Sequence, residues 1–147
     1  VTSAAELARA LRPLVFRLYS VVRRQTPQES LSLTQSSVLG MLSRRPYRMS
    51  ALAEQEGVRL PSMTELVGRL ERMGLVERER DSEDGRVTTV NITPAGQRLS
   101  DELTAARERF FAERLSALDQ EDLTKINAAL PALYRLVVQP PRDLDRS

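Results

Sequence analysis

The sequence has no cysteine and no histidine. Their absence excludes disulfides, thiol redox chemistry and structural zinc of the usual kinds, and it removes the commonest general base. An enzyme would have to work with carboxylates alone, such as Asp101 and Glu102, and there is no Gly-rich phosphate loop to accompany them. Neither enzymatic activity nor a cofactor is expected. Long apolar runs are also missing: no stretch approaches the roughly 18 to 20 residues of a membrane span, and the first residues lack the apolar core of a signal peptide. A soluble, cytoplasmic chain with no membrane contact is expected. Lysine is nearly absent, since Lys125 is the one lysine among 22 basic residues. Guanidinium suits bidentate contact with phosphate and guanine, although a compositional bias of the genome explains the same ratio equally well.

What is present is unevenly spread. The 147 residues fit one domain, and the net charge of +2 hides a gradient. Residues 1–48 carry +6, residues 49–90 carry −3 and residues 91–147 carry −1. The middle segment is therefore not basic in bulk. If it meets a polyanion, its arginines must be sorted in space, with some acids orienting them.

Apolar residues from Leu7 to Val22 recur at steps of three and four, which predicts an amphipathic helix that Pro13 kinks. After a loop containing Pro27, Thr34 is read as the cap of a second helix, with Leu33 packing on Val38 as a staple and an end near Arg45. Ser50 is read as the cap of a short helix, Ala51 to Glu56, stopped by Gly57. A helix from Pro61 to Met73 follows, with Gly74 as its terminator. Met63, Leu66, Val67, Leu70 and Met73 form its core stripe, while Pro61, Thr64, Glu65, Gly68 and Arg72 face the other way with Ser62 and Arg69 at the flanks. Glycine on an open helical face costs about 1 kcal/mol relative to alanine. Gly68 thus reads either as room for close backbone approach to a ligand or as a tolerated solvent position.

Leu75 to Arg80 and Val87 to Ile92 are strand-like runs joined by the polar tip Asp81-Ser82-Glu83-Asp84-Gly85-Arg86, which reads as a hairpin. Thr93-Pro94 starts a fifth helix reaching about Ala117, and Asp119 caps a sixth. In the sixth, Leu123, Ile126, Leu130, Leu133 and Val137 step three and four as a heptad seam, with Pro131 arguing for a kink or an early end and Pro140-Pro141 beginning a frayed tail.

Two short helices joined by a tight turn, the second polar on one face and followed by a hairpin, form a winged helix-turn-helix. That unit is shaped for the major groove of double-stranded DNA, with Arg86 at the ribbon tip suited to the minor groove. Asp84 is placed to hold a neighbouring arginine, with Arg78 and Arg80 the nearest on the first strand. The fold class is mainly α with a small β-hairpin: a winged domain at about 34–93 flanked by N- and C-terminal helices at about 4–24 and 94–138, which the family resemblance given next implies are dimerisation helices. The −3 charge of the middle segment keeps a second reading open, a winged-helix module that binds proteins without binding DNA.

The order Leu33-Thr34, Leu52-Ala53, Ser62-Met63-Thr64, Arg69-Leu70-Glu71, Gly74-Leu75-Val76, Asp84-Gly85-Arg86 and Ile92-Thr93-Pro94-Ala95-Gly96 resembles the MarR family of bacterial transcriptional regulators. The resemblance covers nearly the whole chain and is most specific from Ser62 to Gly96. It implies a homodimeric repressor whose N-terminal and last two helices interlock and whose winged domains read a pseudo-palindromic operator. The family's groove contacts then fall on Ser62, Thr64 and Arg69, its minor-groove contact on Arg86, and its orienting wing aspartate on Asp84. Pro61 opens that helix, and Arg59 just before it is read as a phosphate contact or a solvated side chain. Glu65 departs from the pattern, and its readings are acceptance from a cytosine amino group, a pair with Arg69, or repulsion of phosphate; the i,i+4 spacing favours Arg69. The resemblance also implies a small phenolic or aromatic effector. Phe16, Tyr19 and Met41 are its candidate wall residues, and Arg17 or Arg23 its candidate partner for a carboxylate. Ordinary packing accounts for these residues as well.

Overall fold

The computed structural model describes residues 3–25, 31–80 and 82–138. The loop at Pro27, Asp81 of the hairpin tip and the tail at Pro140-Pro141 lie outside the described residues. In order, the elements are α1 (Ala4–Gln25), α2 (Leu33–Leu42), β1 (Tyr47–Arg48), α3 (Met49–Gln55), α4 (Leu60–Arg72), β2 (Val76–Arg80), β3 (Thr88–Ile92), α5 (Pro94–Leu115) and α6 (Gln120–Val138). They divide into two compact units, one through Glu108 and one from Arg109 onward.

In the first unit α1 opens on a reciprocal cap. The Ser3 N–H donates to Glu6 Oε2 at 2.8 Å and the Glu6 N–H donates to Ser3 Oγ at 3.2 Å, bonds that hold the Glu6 carboxyl below its ordinary range. The helix continues through Pro13. It leaves Leu7, Leu14, Val15 and Phe16 exposed.

The second helix corrects the expected cap. Ser32, not Thr34, caps α2, because the Ser32 hydroxyl accepts from the Gln35 N–H while Gln35 Oε1 accepts from the Ser32 N–H. Leu33 is thereby the first helical residue, and α2 ends at Leu42 rather than near Arg45. Likewise α3 begins at Met49 with Arg48 at the cap position and no side-chain cap bond, so Ser50 lies inside the helix. Both α3 and α4 end as expected on left-handed glycines, Gly57 at φ 64° and Gly74 at φ 73°. In each, the next residue's N–H reaches back to a carbonyl five residues earlier, Val58 to Ala53 and Leu75 to Leu70. These closures satisfy carbonyls that a helix end leaves open.

The hairpin of β2 and β3 is joined by β1 into an antiparallel sheet of order β1-β3-β2. Tyr47 pairs with Val90, and Val90 pairs on its other side with Arg78. The core lies between this sheet and the short helices: Val38, Leu39, Leu42, Leu52, Met63, Val67, Leu70, Val76 and Val90 are almost wholly buried, and Leu103 of α5 joins them. Met73, expected in the stripe, is 47% exposed. It is the C-cap of α4, one residue past the last helical position, Arg72.

Thr93 joins three elements at one point. Its hydroxyl donates to the Gly74 carbonyl at 2.6 Å and accepts from the Gly96 N–H at 3.1 Å, while its own N–H donates to the Leu75 carbonyl at 3.0 Å. The end of α4, the approach to β2 and the first turn of α5 are thus bound together.

In the second unit, Phe110 and Phe111 meet edge to face at 5.5 Å, with the Arg114 guanidinium 4.4 Å from the Phe110 ring centre. Asp119 caps α6 by accepting from the Asp122 N–H at 2.8 Å. The helix passes Pro131 without ending early. Lys125 is held by Glu121 at 2.6 Å. No described residue of α6 is buried, and Ile126, Leu130, Leu133 and Val137 stand exposed. No helix among the described residues is long and apolar enough to cross a membrane.

Candidate nucleic-acid interface

Helix α4 presents its two faces as periodicity requires. Met63, Val67 and Leu70 are buried completely, whereas Pro61, Ser62, Thr64, Glu65 and Arg69 are exposed. Gly68 is a correction: it is buried, not open to solvent. A Cβ at that position would lie 3.5 Å from Nη1 of Arg72, whose side chain folds back one turn to cover the glycine. Glu65 takes the partner that its spacing favoured, with Glu65 Oε1 accepting from Arg69 Nη2 at 2.6 Å. Both side chains are well exposed, so the pair is weak, under about 1 kcal/mol, and readily exchanged for a stronger anion. The Thr64 hydroxyl donates to the Leu60 carbonyl at 2.9 Å. Arg59 sits at the N-cap position of α4 without a side-chain cap bond.

The wing sorts its charges by strand alternation. Glu77-Arg78-Glu79-Arg80 changes sign at every step, so a strand of period two sends the arginines to one face and the acids to the other. On the acidic side, Asn91 Nδ2 lies 3.5 Å from Glu79 Oε2. On the basic side, Arg78 donates through Nε and Nη2 to Glu71 Oε2 at 2.9 and 2.5 Å, bracing α4 against β2. The partner expected for Arg78 was Asp84. Glu71 wins because the end of α4 packs beside β2. Asp84 instead has Oδ1 accepting the Arg86 backbone N–H at 3.0 Å, which shapes the tip and leaves the Arg86 side chain exposed.

The Arg78 hydrogen bonds hold the Glu71 carboxyl below its ordinary range. Partial burial opposes this shift, and the attraction of Arg78 and Arg72 supports it. A depressed carboxylate stabilises the fold above its unfolded value of about 4.3, and that contribution disappears as the pH falls through the lower folded value. Glu71→Gln should therefore flatten the acid limb of the stability curve below about pH 4.3. Because both partners are about one-third exposed, the difference should stay under about 1 kcal/mol. Urea melts of the two proteins from pH 6 to about pH 3 test this, and parallel curves would assign the brace no energetic role.

Helix and wing share a cleft of about 350 Å³, lined by Leu60 and Thr64 of α4, by Arg48 and Ser50, and by Arg78, Arg80 and Arg86. Thr64 and Arg86 therefore meet at one place, with Ser62, Glu65 and Arg69 on the same exposed helix. Arg48 carries no local sequence signal as a site residue, because its neighbourhood is purely tertiary. Arg80, expected from the sequence only as a partner for Asp84, belongs to the face that the sign alternation of β2 marks. A second cleft, of about 780 Å³, is lined by Tyr19, Arg23, Arg24 and residues 31–34. Of the proposed effector wall only Tyr19 reaches it. Phe16 is 65% exposed on α1 and Met41 packs against the core.

The sequence signature of the MarR family matches residues 31–88, which span α2 through the first residue of β3. An uncharacterized HTH-type transcriptional regulator of Mycobacterium leprae is 34% identical over 140 residues, covering 95% of this chain and 98% of that protein. Among solved structures, a MarR family protein of Bacillus stearothermophilus aligns with a TM-score of 0.79 at 24% identity, covering 92% of this chain and 95% of its own. FabT of Streptococcus pneumoniae, solved in complex with DNA, aligns with a TM-score of 0.72 at 17% identity over 92% and 97% of the two chains. With the winged fold in place and a relative this similar along almost its entire length, the chain belongs to the MarR family, whose members regulate transcription and are not enzymes.

Proposed function

We propose that two copies of this chain form a homodimeric repressor that reads a pseudo-palindromic operator and is released by a small aromatic or phenolic ligand. The observation behind this reading is the shared cleft that sets the exposed polar face of α4 beside Arg86. Ser62, Thr64 and Arg69 take the major groove, with Pro61 and Glu65 at its edge and Arg59 on a phosphate. Arg86 takes the adjacent minor groove, its tip shaped by Asp84. The FabT complex with DNA supports the same use of this fold. The exposed apolar residues of α1 and α6 supply the surface that a second copy covers. Tyr19 and Arg23 on the larger cleft give a ring and a guanidinium for an aromatic acid.

Selection from a pool of random duplex DNA by the purified chain tests this reading. Enrichment of two inverted half-sites about one helical turn apart, or a multiple of it, is expected, together with a dimer by light scattering. Arg69→Ala should lower the slope of log K against log salt by about one. An unenriched pool would assign the surface to protein partners instead.

A further inference from the structure

We propose that Arg48 and Arg80, assisted by the Ser50 hydroxyl, clamp one phosphodiester of the DNA backbone in the cleft between α4 and the wing; this rests on the DNA-binding reading above. Four arginines, Arg48, Arg78, Arg80 and Arg86, line that cleft, and none of its described lining residues is acidic. Among the described residues Arg78 is paired, with Glu71. Among the described residues no carboxylate makes a salt bridge with Arg48, Arg80 or Arg86. Three guanidinium groups gathered with no salt bridge to a described carboxylate repel one another and raise the local potential, which an anion relieves. The fork of a guanidinium matches two oxygens of a phosphodiester.

Topology selects the anion. With α4 in a major groove and Arg86 in the next minor groove, the strand of backbone dividing the two grooves has to pass over the space between helix and wing. That space is this cleft. Ser50 contributes because it does not cap α3, so its hydroxyl stands on the cleft wall as a donor. Thr64 on the opposite wall already donates to the Leu60 carbonyl, so the cleft's bonds to phosphate come from the arginine side. The assignment also accounts for the local charge balance: residues 49–90 are acidic in sum, yet the acids of β2 face away and the arginines converge.

The contact reads backbone, not base, and that distinguishes it from Arg86. Arg48→Ala and Arg80→Ala should each weaken binding roughly tenfold on the selected duplex and on an unrelated duplex alike, and each should lower the salt slope by about one. The decisive measurement is a scan in which single phosphates of the selected duplex are replaced by neutral methylphosphonates. For the wild-type chain one position per half-site should weaken binding by a similar factor, and for Arg48→Ala and Arg80→Ala that same position should become indifferent. Both residues are exposed, and matched thermal melts will register any loss of folding. If the wild type binds the duplex but the variants keep its affinity, its salt slope and its phosphate profile, the clamp is overturned while the DNA-binding reading stands. If the wild type enriches no duplex at all, both fall together.

Discussion

Gly96→Ala is expected to destabilise the protein by about 3 kcal/mol or more, lowering the melting temperature on the order of 10 °C for a chain of this size. A Cβ at Gly96 would stand 2.0 Å from the Leu75 carbonyl oxygen and 2.8 Å from Ile92 Cγ1. The first obstacle is backbone, and it is already engaged, since the Leu75 carbonyl accepts the Thr93 N–H. Moving it means opening the junction of α4, β2 and α5. The requirement is one of space, because Gly96 has no positive φ. Gly68→Ala is the control on the same chain. Its new Cβ would meet only a flexible arginine tip at 3.5 Å, so alanine there should be neutral or add up to about 1 kcal/mol through helix propensity. Calorimetry of the two variants beside the parent checks both. A Gly96→Ala protein melting with the parent would mean that the first turn of α5 is free to shift.

Arg86→Ala should weaken binding to the selected duplex by roughly tenfold to a hundredfold while leaving the melting temperature unchanged. The separation follows from how the tip is built: Asp84 accepts from the Arg86 backbone N–H, which alanine retains, so the turn survives and only the probe is removed. The loss should be greatest on duplexes with A·T pairs at the wing position, where a narrow minor groove concentrates negative potential. A loss independent of that sequence would move Arg86 onto the backbone with Arg48 and Arg80. Unchanged affinity would remove the wing from recognition altogether.

The parts of this fold most legible in the sequence were those fixed by one residue's own chemistry. Gly57 and Gly74 end their helices because each closure needs a left-handed residue, and Thr93-Pro94 starts α5 because threonine caps and proline needs no N–H there. Choices between equivalent residues were less legible. Ser32 and Thr34 can both cap, and what decides is Gln35, three residues after Ser32, which completes a reciprocal box. The strand β1 has only two residues and owes its conformation to its pairing with β3, so no period within it could reveal it. Gly68 was misplaced because helical projection locates a residue's own side chain but not the neighbour that lies across it. The candidate interface divides the same way. Thr64 and Arg86 could be nominated singly from pattern and resemblance, but their meeting with Arg48 is a product of packing, seen only once the sheet has formed.

Lys125, bound to Glu121 on α6, gives the molecule an unusual chemical asymmetry. It is the only primary amine on any side chain of this sequence, and it lies far along the chain from α4 and the wing. Acylating reagents that target amines, including fluorescent esters and acetyl donors, thus have one side-chain address, and it is not among the groups assigned to DNA. A dye attached there reports on α6 without removing a single positive charge from the proposed interface.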